Sequence, residues 1–128
     1  MKKILFTFSI LSLVSCKNEE EKKESLYPEK GISAEEKQLR LGQEIFDGKG
    51  MCYSCHKPEQ KIIGPSIKEI ASIYKEKNGD IKLFLQEKSG PIVDVKQYPV
   101  MKTNFAITKT FSEEELKAVE AYFYSHLK

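Results

Sequence analysis

The chain has 128 residues and a formal net charge of +2, from 21 basic and 19 acidic side chains that intermingle along its length. Nucleic acid binding is set aside on that ground, because it needs a basic patch or stripe. Once a removable leader is discounted, about one small domain remains; with 40% apolar residues and no tryptophan, its own core is thin enough that a large apolar cofactor would be a welcome part of it.

Lys2 and Lys3 precede an apolar run from Ile4 to Val14, a charged n-region and a hydrophobic h-region too short to span a bilayer. Residues 1–15 therefore read as a signal peptide, and its removal takes the net charge to zero. The run ends in Leu13-Val14-Ser15-Cys16, which resembles the lipobox of bacterial lipoproteins, so Cys16 is expected to be the acylated first residue of the mature chain. With two or three acyl chains, at ~0.8 kcal/mol per buried methylene, such an anchor is stable. Residues 16–31, rich in glutamate and lysine, read as a solvated, lipid-anchored tether with a reach of roughly 20 Å. A folded domain is expected over residues 32–128, outside the cytoplasmic membrane, in the periplasm or at the cell surface.

Ser33-Ala34-Glu35-Glu36 has the form of a capping box and predicts a helix start. Leu39, Gly42, Ile45 and Phe46 then share one face, and Gly48 or Gly50 ends the helix. Gly42 in mid-helix costs about 1 kcal/mol, a sign that another backbone or ring packs against it.

Cys52-Tyr53-Ser54-Cys55-His56 comes next. C-x-x-C-H is the attachment pattern of a c-type haem. Cysteines three apart lie on one side of a single turn, so both sulfurs reach the vinyl edges of one porphyrin as thioethers, and His56 is carried beneath the iron as an axial ligand. A haem-free use of the pair, as a thiol couple or a zinc site, would want a strand before the motif or a fourth ligand, and neither is in view. No disulfide is expected, since Cys16 has a use of its own.

Lys57 to Lys61 reads as a polar loop leading into Ile62-Ile63-Gly64-Pro65. Ser66 is placed to cap a second helix, with Ile67, Ile70, Ala71 and Tyr74 on one face and Asn78-Gly79 as its stop. Asp80 caps a short third helix that carries Ile81, Phe84 and Leu85 inward and is closed by Ser89-Gly90-Pro91. Pro91 to Thr110 shows no clear periodicity and is expected to be irregular; it contains Met101. Ser112 and Glu115 form the strongest start signal in the chain, with Phe111 placed to staple against Leu116. Leu116, Val119, Tyr122 and Phe123 make the apolar stripe of this last helix.

Taken in order, Gly42-x-x-x-Phe46, Cys52-x-x-Cys55-His56, Gly64-Pro65, Met101 and Val119-x-x-Tyr122 resemble a class I cytochrome c, and within it the short respiratory cytochromes of pseudomonads. The resemblance runs from about Ser33 to the end. It implies an all-α fold with about four helices packed around one covalently bound haem c, the N- and C-terminal helices crossing where Gly42 meets Tyr122. It also implies that Pro65 offers its carbonyl to the second ring nitrogen of His56, that Met101 is the other axial ligand of the iron, and that Asn104 hydrogen-bonds near the methionine sulfur. Lys88, Lys96 and Tyr98 are candidate propionate partners. Met51 adjoins Cys52 on the histidine side, and His126 at a helix end reads as a surface histidine, so neither competes strongly with Met101.

An iron held by His56 and Met101 has no open position for a substrate. The expected function is one-electron transfer, not enzymatic turnover, between membrane-associated redox complexes such as an oxidase, a reductase or a quinol-oxidising complex. Lys49, Lys57, Lys61, Lys96 and Lys102 form a candidate docking ring for acidic partners. The alternative is a haem-based enzyme or a gas or peroxide sensor, which would need a labile Met101 bond.

Overall fold

Four side-chain caps set the starts of the principal helices. In the computed structural model of the chain, Ser33 accepts from the Glu36 amide at 3.1 Å and opens α1, Ala34–Asp47. Ser66 accepts from the Glu69 amide at 3.1 Å to open α2, Ile67–Glu76, and Asp80 accepts from the Leu83 amide at 2.9 Å to open α3, Ile81–Leu85. The structure describes residues 31–128. The expected signal peptide, Cys16 as the expected lipidation site and nearly all of the expected tether lie outside those residues.

Only half of the first capping box forms, because the Glu36 carboxylate turns forward to Arg40, one turn on, at 3.4 Å. The box is complete at the last helix, α6 (Glu113–Ser125), where Ser112 and Glu115 exchange bonds and Phe111 and Leu116 are both buried. α2 stops where the sequence says it should, with Asn78 in a left-handed conformation at φ 50° and the Gly79 amide returning to the Tyr74 carbonyl. α3 stops earlier than Ser89-Gly90-Pro91, because Glu87 already adopts a left-handed φ of 57°.

Two further helices occupy the stretch expected to be irregular: α4, Tyr98–Lys102, and α5, Phe105–Thr108. Asp94 accepts from the Gln97 amide just ahead of α4, Pro99 sits in its first turn, and the Thr103 hydroxyl returns to the Val100 carbonyl at 2.7 Å. Helices of five and four residues are too short to show a 3.6-residue repeat, so periodicity misses them. The described residues thus hold six α-helices and no strand, with one isolated antiparallel bridge between His56 and Lys61. Among them no helix is long and apolar enough to cross a membrane.

α1 and α6 make the most extensive helix contact of the fold. They cross at Gly42: a Cβ there would lie 2.7 Å from Tyr122 Cβ and closer still to the Ala118 carbonyl oxygen, so only glycine allows this approach. Phe46 packs against Tyr122 and Phe123, with ring centroids 5.5 and 6.0 Å apart. The fully buried Leu116, Val119, Ile67 and Thr108 join α6, α2 and α5 into one core, and the Thr108 hydroxyl donates to the Leu85 carbonyl at 2.6 Å, tying α5 to α3. What these elements enclose is a cavity.

Candidate functional site

The cavity measures about 1270 Å³ with its open mouth included. Its walls come from Ile70 and Tyr74 of α2, Ile81, Phe84 and Leu85 of α3, Val119 and Phe123 of α6, and most of residues 91–104. Phe84 stands at the centre of an aromatic group, with Phe105 at 5.4 Å and Tyr98 and Tyr74 each at 6.2 Å. Edge-on and tilted rings of this kind make a stiff apolar wall. Burial raises the Tyr74 phenol well above its ordinary range, so that wall stays uncharged.

The Cys52–His56 motif enters this cavity on a tight turn. Met51 adopts a left-handed φ of 51° and reverses the chain after α1, and Cys52–Ser54 then form a single 3₁₀ turn in which the Cys55 and His56 amides share the Cys52 carbonyl at 3.1 and 3.0 Å. Cys52, Cys55 and His56 all line the cavity. Both cysteines are free thiols, Cys52 buried and Cys55 half-buried. Burial, the largest cause, pushes the Cys52 thiol up to about 11, so it sits there as a neutral group.

His56 is fixed from behind. Its Nδ1 lies 2.7 Å from the Pro65 carbonyl oxygen, which can only accept, so Nδ1 carries the proton and Nε2 keeps its lone pair. Burial lowers the imidazole's proton affinity, the Pro65 carbonyl opposes that in part, and the ring remains a neutral donor. Gly64 lies against the same Nδ1–Cε1 edge of the ring: a Cβ there would come within 2.5 Å of His56 Cε1 and 2.8 Å of Nδ1. The sequence reads Gly64-Pro65 as a turn and a carbonyl; that the glycine is also a clearance for the imidazole is visible only in three dimensions. The loop between is laced down by the His56–Lys61 bridge, by the Gly64 amide on the Cys55 carbonyl at 2.8 Å, and by the Ile67 amide on the Lys57 carbonyl at 2.9 Å.

Met101, on α4, lines the same cavity and is partly buried, whereas His126 is not part of the lining. The His126 ring packs instead on Tyr122, with Nδ1 2.9 Å from the Tyr122 carbonyl. Asn104 also lines the cavity, and its amide nitrogen donates to the Gly50 carbonyl at 3.1 Å, joining the methionine segment to the residues ahead of Cys52. Of the candidate propionate partners, Tyr98 is in the lining and Lys88 and Lys96 are not.

Three of the five lysines of the expected docking ring are matched within the chain: Lys49 with Glu115 at 2.7 Å, Lys61 with Asp94 at 3.0 Å and Lys102 with Glu87 at 3.4 Å. Large apolar residues are exposed around the cavity instead. Met51, Ile63 and Val100 belong to its lining, and Tyr53, Ile62 and Val95 each adjoin a lining residue in the chain. Asp94, which sequence reasoning passed over, lies at the same rim; its spacing three residues before Gln97 is the pattern of a side-chain-capped turn, the one signal that marks it.

These residues fit a c-type haem. The space is apolar and roomy enough for a porphyrin, two thiols on one turn face it, and a neutral imidazole with a free Nε2 and the thioethers of Met51 and Met101 stand in its wall. Residues 39–126 match the family model described as cytochrome c. No curated protein matches the chain in sequence. With its all-helical architecture, its C-x-x-C-H turn and a match spanning more than half its length, the chain belongs to the cytochrome c family, whose members bind a covalent haem c for electron transfer.

Proposed function

We propose that this protein is a one-electron carrier, not an enzyme, in which Cys52 and Cys55 hold the haem as thioethers and His56 and Met101 are the axial ligands of its iron. The observation that carries this is that all four side chains line one apolar cavity. Bound there, the haem supplies a reversible iron(III)/iron(II) couple. The chain's own residues do the rest. Pro65 keeps His56 in the tautomer that leaves Nε2 available, Gly64 gives the ring its room, and Asn104 ties the Met101 segment to Gly50. The aromatic wall excludes water, and a ligand pair and packing that change little between oxidation states keep reorganisation small.

Carriage between membrane redox complexes follows from the lipobox-like end of the leader: with Cys16 acylated, the tether would hold the domain near membrane partners and raise their effective concentration. Electrons would pass at the rim, where Met51, Tyr53, Ile63 and Val100 are exposed. Spectroscopy and a redox titration of the holoprotein test this. The expected result is a single reversible one-electron wave, the weak far-red absorption band of sulfur ligation in the oxidised state, and slow carbon monoxide binding in the reduced state. Rapid carbon monoxide binding would favour the gas-binding or enzymatic alternative, and a missing band would remove Met101 as ligand.

A further inference from the structure

We infer that Asp94 is a positioning residue that clasps the segment carrying Met101 to the segment carrying His56 and so sets how often the methionine side of the cavity opens. Its effect on the iron rests on the proposed ligand pair; its effect on the backbone does not. The Asp94 carboxylate is divided between two tasks. Oδ2 meets Lys61 Nζ at 3.0 Å, and Oδ1 accepts from the Gln97 amide at 3.2 Å. Lys61 is itself paired with His56 in the antiparallel bridge, and the Gln97 carbonyl accepts from the Met101 amide at 3.1 Å. Polar contacts therefore lead from Lys61, which pairs with His56 in the bridge, through Asp94 and Gln97 to the backbone of Met101.

Among the described hydrogen bonds and ion pairs, Lys61 with Asp94 is the one that joins residues 57–64 to residues 91–102. Apolar packing holds the methionine segment only in part: Ile92, Val93 and Met101 lie against the core and Tyr98 against Phe84 and Phe105, but no residue of α4 is fully buried and Val95 and Val100 are exposed. At its far end the segment is held by Lys102 on Glu87, a carboxylate that also receives Lys109. Asp94 is thus placed where the partly buried helix that carries Met101 meets the loop that follows the haem motif. The carboxylate is the less exposed partner, its side chain 20% accessible against 55% for Lys61, so the contact survives near water but is open to salt.

The test uses the haem-loaded protein and four variants. Lys61→Gln removes the ion pair alone, Asp94→Ala removes the pair and the Gln97 bond, and the exchange Lys61→Glu with Asp94→Lys restores an ion pair. Lys68→Gln, which breaks the separate Lys68–Glu59 contact, controls for loss of one surface charge. Two quantities are read: the rate of carbon monoxide binding to the reduced protein, and hydrogen exchange at the amides of Met101 and Asn104. Both should rise about threefold in Lys61→Gln and about tenfold in Asp94→Ala. The charge exchange should return carbon monoxide binding toward wild type, Lys68→Gln should leave it there, and high salt should bring wild type to the level of Lys61→Gln. Global unfolding, followed by far-ultraviolet circular dichroism, should hold within error in Lys61→Gln. Unchanged amide exchange in both Lys61→Gln and Asp94→Ala would overturn the proposal, and so would a global destabilisation that accounts for the whole effect. If the wild type lacks the sulfur band, the ligand assignment fails, and the clasp is decided by amide exchange alone.

Discussion

Gly42→Ala sets two known effects against each other at one atom. Alanine in place of a mid-helix glycine gains about 1 kcal/mol of helix propensity, and at an exposed position that gain would appear as added stability. At residue 42 the new methyl would stand 2.7 Å from Tyr122 Cβ, inside contact distance, and nearer still to a backbone carbonyl that has no rotamer to move into. Overpacking costs about 1–3 kcal/mol, and the upper end applies because relief requires α1 and α6 to separate along their principal contact. The net is a loss of about 2 kcal/mol. For a domain of this size each kcal/mol moves Tm by about 4–8 °C, so a fall of about 10 °C is expected in thermal unfolding followed by circular dichroism. Gln43→Ala, one residue along on the exposed side of α1, is the control and should stay within about 2 °C of wild type. A Tm for Gly42→Ala equal to or above wild type would show that the helices do not cross as closely as described.

Three more outcomes follow from single contacts. Gly64→Ala puts a methyl 2.5 Å from His56 Cε1, so the imidazole must tilt off the Pro65 carbonyl; lower haem loading or a shifted Soret band is expected, and an unaltered spectrum with full loading would contradict the clearance role. Thr108→Val keeps the shape but leaves the Leu85 carbonyl without its buried donor, which should cost about 1–2 kcal/mol in denaturant unfolding. Glu115 is held below its ordinary value of 4.5 first by Lys49 and then by the Ser112 amide. A carboxyl whose folded value is depressed contributes stability that is complete above the unfolded value and is lost as pH falls through the folded one. Glu115→Gln should therefore be less stable than wild type at neutral pH, with the difference shrinking below about 4.5; a constant gap across that range would count against the Lys49 contact.

Much of the frame could be read from residue order, because caps and stops act locally. Ser33, Ser66, Asp80 and Ser112 each start a helix by a bond to an amide three residues ahead, and such bonds depend on spacing alone. Gly42 was legible as a cost in need of a cause. The cause, the Ala118 carbonyl and Tyr122, lies far along the chain and needed the crossing to be seen. The C-x-x-C-H turn announces its chemistry by itself, whereas the clearance at Gly64 depends on where the imidazole points. α4 and α5 were hidden because their order comes from side-chain bonds such as Asp94 to Gln97 and Thr103 to Val100, not from an apolar repeat. The lysine ring shows the reverse limit: charges that look free in one dimension find Glu115, Asp94 and Glu87 in three.

The crossing of α1 and α6 also has a mechanical meaning. The helices that hold each other most extensively are the first and last of the described residues, with Glu35 within 3.7 Å of Lys128 at the chain's end. A pull applied through the two ends of the domain would load the exposed Glu35–Lys128 contact and then the crossing itself, at the Gly42 contact. Residues 48–112, which carry the C-x-x-C-H turn and Met101, lie in parallel behind it and would feel no tension until the terminal helices part.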